Sequence, residues 1–176
     1  MMEIIFVEFN PINHCEETYA WINDLYIQYS QEVKDREGKI KIVSERWNTY
    51  GNGFEYLMLE IIEEDASSKF KEQEGRQRKT RIPVFDKKDL TKVVAYQSVM
   101  LDIKIYPEAP DDFEFKPREV SRKCFRLSFP DIGMGEEVVE VIHKPTNIKV
   151  QCKEEQTKQD NEAMALRILK AKLYKE

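Results

Sequence analysis

The stretch VIHKPTNIKVQC, Val141 to Cys152, limits the fold more than any other part of the chain. Two apolar runs, VVEVIH and NIKVQC, meet across KPTN, where Pro145 presets its backbone angle and Asn147 can take the left-handed conformation that such a turn often needs. That reads as a β-hairpin. After a polar loop, Asp160 is placed as the N-cap of a helix carrying Met164, Leu166, Leu169 and Leu173. Lys170, Lys172 and Lys175 lie near its C-terminal end, where the helix dipole favours cations. Upstream, REVSRKCFRLSF is strand-like and PDIGMGEE, with Pro130, Gly133 and Gly135, is a loop.

The first half of the chain also mixes strands and helices. Glu3 to Phe9 (EIIFVEF) reads as a short buried strand ended by NPIN. CEETYAWINDLYIQYSQEVKDREG places Ala20, Trp21, Leu25, Ile27 and Val33 on one helical stripe, with Gly38 as the stop. KIKIVSE alternates as a half-exposed strand, YGNG offers a turn, and FEYLMLEII is a more buried strand. Ala66 to about Arg78 is polar enough for a second, shorter helix, a basic loop follows, and YQSVMLDIKIY is a further strand. In YPEAPDDFEFKP three prolines and clustered acids mark a place where contacts should thin. The fold class expected is α+β, built of two small α/β units at residues 1–107 and 117–176.

At 176 residues, 35% charged and 41% hydrophobic, the chain is too apolar for disorder and suits one domain or two small ones. No run approaches the roughly 20 apolar residues that cross a bilayer, and the N-terminus lacks the pattern of a signal peptide. A cytoplasmic protein with no membrane partner is expected. Cys15, Cys124 and Cys152 lack paired C-x-x-C spacing and read as three buried free thiols. His14, Cys15, His143 and Cys152 make a poor chelating set, so neither a metal nor any other cofactor is expected.

Net charge is −5, which argues against uniform coating by nucleic acid. The distribution is uneven. Lys69 to Lys92 holds nine basic and four acidic residues, whereas EAPDDFEF and QCKEEQTKQDNE are acidic overall. Arg76, Arg78, Lys79, Arg81, Lys87 and Lys88 are therefore the candidate phosphate contacts, against the ordinary alternative of a solvated face near Glu72, Glu74 and Asp86.

HKPTNIKVQC followed by NEAMALRILKAKLYKE resembles the catalytic domain of bacterial class I peptide chain release factors. There the order is approximately His-Ile-Pro-Thr-Gly-Ile, then Val-Gln-Cys, ending in a helix with Lys/Arg-Ala-Lys/Arg-Leu-Tyr. RIPVFD is similar to the family's stop-codon reading loop, and IYPE to the strand end beyond it. The resemblance implies that the two units correspond to the codon-recognition and catalytic domains. It also implies a compact form without the family's N-terminal helical domain.

The departures fall on the functional loops. Release factors carry Gly-Gly-Gln before the hairpin, where glycines allow an extended loop and the glutamine stabilises charge developing on the ester. Here the loop reads LSFPDIGMGEE, with Pro130, Asp131, Glu136 and Glu137 in the glutamine region, so no catalytic residue is assigned. Glu136 or Glu137 as a general base is the minor alternative, since neighbouring acids on a loop are usually only solvated. The family's codon loops read Pro-x-Thr or Ser-Pro-Phe, using a hydroxyl, whereas Pro83, Val84 and Phe85 carry none. Gln97 stands where the family has a histidine, and QTKQDNE replaces a basic run. The reading is a non-catalytic release-factor-like protein that contacts the ribosome or ribosomal RNA in termination or rescue. Its competitor is a protein-binding module whose acidic loops meet a basic protein partner.

Overall fold

The computed structural model describes residues 1–49, 51–127 and 136–176. Strand β1 (Met2–Pro11) is the middle of a five-stranded sheet of order β2-β3-β1-β5-β4, with β2 at Lys39–Trp47, β3 at Phe54–Glu64, β4 at Gly75–Phe85 and β5 at Val93–Pro107. Its position follows from its sequence: Ile5, Phe6, Val7, Glu8 and Phe9 are all buried, so both faces of the strand must be covered. Ile5, Val7 and Phe9 face helix α1 (Glu16–Asp35), joined by Leu57, Leu59, Ile61, Leu101 and Ile103.

The buried stripe of α1 is Thr18, Ile22, Leu25, Tyr29 and Val33. Leu25 and Val33 match expectation, but Ile27 is 58% exposed and the core instead takes Ile22 and Tyr29. Steps of three and four residues from Leu25 reach those two positions and pass over Ile27. The helix end also differs. Glu37, with φ 61°, takes the left-handed position, while Gly38 donates its N–H to the Val33 carbonyl at 2.8 Å. Gly38 is needed for space, because a Cβ there would meet Val33 Cγ1 and Glu63 Cβ.

The second helix, α2, is short (Ala66–Phe70), and one 3-10 turn over Lys71–Gln73 completes the helical part. From Gly75, with φ 114°, the chain turns into β4. The expected helix to Arg78 and basic loop are thus corrected: GRQRKTRIPVF pairs with β5 over its whole length. The partner strand decided this, since cross-strand hydrogen bonds satisfy a backbone whose own sequence is polar and locally ambiguous.

A second sheet, order β6-β7-β8, is formed by Val120–Leu127, Glu136–His143 and Ile148–Cys152. The β7–β8 hairpin turns as its sequence predicts, with Asn147 at φ 58° and its N–H donated to the His143 carbonyl at 2.7 Å. Helix α3 (Lys158–Lys175) is capped by Thr157, whose hydroxyl accepts from the Asp160 N–H at 3.0 Å; Asp160 belongs to the first turn and is not the cap. Thr157→Ala is expected to cost about 1 kcal/mol, read as a lower urea midpoint at unchanged slope.

One face of α3 buries Met164, Ala165, Ile168, Leu169 and Ala171 in a core completed by Val141, Val150 and Cys152 from the small sheet and Phe6, Val43, Met58 and Tyr106 from the large one. The connection over 108–116 lies along this helix. Glu108 accepts from Arg167, Phe113 meets Tyr174 edge-on at 5.4 Å, and Phe115 packs under Lys170. Around these contacts Pro110, Asp111, Asp112, Glu114 and Lys116 are exposed. The aromatic residues anchor a segment whose prolines and acids alone suggested a loose linker.

The cysteines divide by environment. Cys152 is buried and its thiol is pushed up to about 12 by burial, Cys15 is intermediate, and Cys124 is exposed, so one buried thiol replaces the expected three. His14 and Cys15 contact Tyr19 and Thr18 on the α1 side of the large sheet, whereas His143 bonds Thr146 and Cys152 lies in the second core.

Candidate nucleic-acid interface

Beyond Val99 the β4–β5 pair leaves the cover of the core and continues as a two-stranded ribbon. Its end, residues 86–92, is closed by the Asp86 N–H to the Lys92 carbonyl at 2.8 Å. The Asp86 carboxylate accepts the Lys88 N–H at 2.7 Å, and Asp89 accepts both the N–H and the hydroxyl of Thr91. The Thr91 bonds hold the Asp89 carboxyl below its usual range. These acids are thus turned toward backbone within the loop.

The structure brings Arg76, Arg78, Lys79 and Arg81 together on β4 and puts Lys87 and Lys88 in the terminal loop. All six are exposed, and among the described residues none has an ion-pair partner. Of the acids expected to neutralise them, Glu74 pairs with Lys175 and Asp86 caps the loop. Some cations elsewhere are engaged: Arg36 holds Glu63 through two bonds of 2.9 Å, and Arg167 binds Glu60 at 2.8 Å. An unneutralised cationic strand on an acidic protein concentrates positive potential where phosphate can approach.

Pro83, Val84 and Phe85 end β4, opposite Tyr96, Ala95 and Val93. The ribbon end carries more exposed apolar surface than the tripeptide alone: Phe85 is 45%, Leu90 74%, Val94 53% and Tyr96 67% exposed. Tyr96 was missed by sequence reasoning, because YQSVMLDIKIY read as one uniform strand; its aromatic ring beside a basic stretch was the available signal. Gln97 donates to Asn13 at 3.3 Å, which ties the ribbon base to the loop after β1.

On the other unit, Glu136 and Glu137 belong to β7 and not to a loop. The Cys124 thiol donates to Glu137 at 2.9 Å, and that bond, with a smaller burial effect, raises the thiol pKa. Pro130, Asp131, Gly133 and Gly135 lie outside the described residues. The loop chemistry therefore rests on sequence.

A buried ion pair fixes α3 over the large sheet. Lys172 donates to Glu8 at 2.6 Å, and Tyr56, Tyr106 and Asn10 donate to the same carboxylate at 2.6, 3.3 and 3.0 Å. Burial alone would raise the Glu8 pKa, but Lys172 and the hydrogen bonds outweigh it and hold the carboxyl below its usual value. Burial, and then the Glu8 charge, raise both tyrosine hydroxyls.

No protein-family model matches the chain. Among curated proteins it is similar to peptide chain release factor 1 of Aquifex aeolicus, 29% identical over 162 residues, covering 90% of this chain and 43% of the relative. The corresponding protein of Lawsonia intracellularis is 28% identical over 162 residues, with 90% and 44% covered, and that of Borrelia hermsii 25% over 174 residues, with 97% and 47% covered. The likeness is to release factors. The chain spans about half the length of these relatives. In three dimensions it matches RF2 of Thermus thermophilus with a TM-score of 0.80, covering 98% of this chain and 49% of that one at 22% identity. The α+β fold is thus that of the corresponding part of a release factor.

Among the described residues no helix is long and apolar enough to cross a membrane.

Proposed function

We propose that this chain is a release-factor-like protein of the cytoplasm that contacts ribosomal RNA in translation termination or ribosome rescue without hydrolysing the peptidyl ester. The observation that carries the reading is the clustering of six exposed cations on β4 and its terminal loop, none of which has an ion-pair partner among the described residues. Likeness to release factors over nearly the whole chain supplies the partner class. The Pro83-Val84-Phe85 end has apolar surface for packing or stacking but no side-chain hydroxyl for reading a base edge.

The non-catalytic part of the reading rests on LSFPDIGMGEE, which has no Gly-Gly-Gln. Its two glycines, Gly133 and Gly135, are not adjacent and no glutamine follows them, so the residue order on which ester hydrolysis in the family depends is missing. Salt-dependent cosedimentation with ribosomes tests the whole. The expected result is binding that weakens steeply between about 50 and 200 mM salt, with peptide release from stop-codon complexes no faster than without factor. Release well above that background, abolished by Glu136→Gln with Glu137→Gln, would refute the non-catalytic reading. Salt-insensitive failure to sediment would refute the ribosomal one.

A further inference from the structure

The functional reading leaves open how a polynucleotide lies on the ribbon. Side chains alternate across a strand, so Arg76 and Arg78 share one face and regular continuation would add Thr80, Ile82 and Val84 to it. The register does not continue regularly. Arg78 pairs with Met100 but Thr80 pairs with Val99, leaving Lys79 as the extra residue of a β-bulge. The phase then reverses: Arg81 stands opposite Ser98 and Pro83 opposite Tyr96.

The two faces can be named from their neighbours. Leu101 and Ile103 of β5 enter the core beneath α1, and Gln77, opposite Leu101, donates to the Gln73 carbonyl on that side. Tyr106, of the other parity, packs in the core with α3. Met100, Ser98 and Tyr96 share the parity of Tyr106, which places Arg76, Arg78 and Arg81 on the α3 side. Thr80 and the half-buried Ile82 fall on the α1 side.

We infer that RNA lies against one face of the β4–β5 ribbon, the α3 side, and that the bulge at Lys79 is the positioning device bringing Arg81 into line with Arg76, Arg78 and Tyr96. The inference rests on the RNA-binding reading above. Arginine forks bind phosphate, and an exposed tyrosine stacks on any base, so the stretch of this face carrying Arg78, Arg81 and Tyr96, beyond Arg76 with Asp102 opposite it, suits an extended strand running along the ribbon. The opposite face offers Thr80, Ile82 and Val84 and no arginine.

Exchanging two neighbouring residues tests the face without changing composition. The double variant Thr80→Arg with Arg81→Thr keeps net charge and moves one guanidinium across the ribbon. Its binding to a labelled, unstructured RNA of about 15 nucleotides is compared with that of wild type and of Arg81→Thr alone. The expected result is that the exchange loses as much affinity as the single variant, roughly five- to tenfold, and that both lower the salt slope by about 0.7. Wild-type affinity and slope in the exchange variant would overturn the one-face inference while leaving RNA binding intact. Failure of wild type to bind RNA in a salt-dependent way would overturn the functional reading itself. Both exchanged positions are exposed, and an unchanged thermal midpoint shows that the comparison concerns binding alone.

Discussion

Replacing Arg78 and Arg81 by glutamate is expected to weaken association with ribosomes roughly a hundredfold at about 50 mM salt and to lower the salt slope by about 1.5. Each arginine lacks an ion-pair partner among the described residues, so its charge is available for counterion exchange with phosphate. Reversal removes two contacts and adds two repulsions. The loss should be uniform across RNA sequences, because phosphate contacts carry no base information. Stability should hardly change, since both side chains are exposed and surface charges contribute about 0–1 kcal/mol each. Cosedimentation at two salt concentrations and urea unfolding read both quantities. Equal binding by variant and wild type would remove these arginines from the interface.

Lys172→Met should destabilise the protein by about 3 kcal/mol, the order found when one partner of a buried ion pair is removed. Glu8 is 5% exposed and would keep its charge with only Tyr56, Tyr106 and Asn10 as donors. The pH dependence follows from the sign of its shift. A carboxyl whose pKa is lower in the folded than in the unfolded chain contributes stability that is complete above its ordinary value of 4.5 and is lost as pH falls through the depressed folded value. In Lys172→Met the carboxyl is no longer held down by the ammonium, so acid unfolding should begin at higher pH. Adding Glu8→Gln should recover part of the loss, because a neutral amide does not need the missing charge. Urea unfolding of the three proteins between about pH 3 and 7 measures this; a Lys172→Met variant as stable as wild type would show that the pair does not hold α3 in place.

Much of the architecture was legible because its signals are local. The continuous apolar run of β1, the Pro145–Asn147 turn and the apolar positions of α3 each follow from a few adjacent residues. The basic stretch was legible as charge. Its form was not: a strand of GRQRKTRIPVF exists because β5 lies beside it, and partners such as Arg76 and Asp102, 26 positions apart, meet only after folding. Ile27 was misplaced for the same reason, since two apolar stripes fit the helix locally and only the facing sheet chose between them.

The sequence by itself determined the sign and location of the charge, the absence of Gly-Gly-Gln, the absence of a hydroxyl in Pro83-Val84-Phe85, and the strands and helices outside the basic stretch, all properties of residues and their near neighbours. The tertiary structure alone decided which charges remain unpaired and which face Arg81 occupies. It also decided that Glu8, a buried acid within an apolar strand, meets Lys172 164 residues later. Pairing, register and burial depend on groups brought together across long chain separations, and no local propensity encodes them.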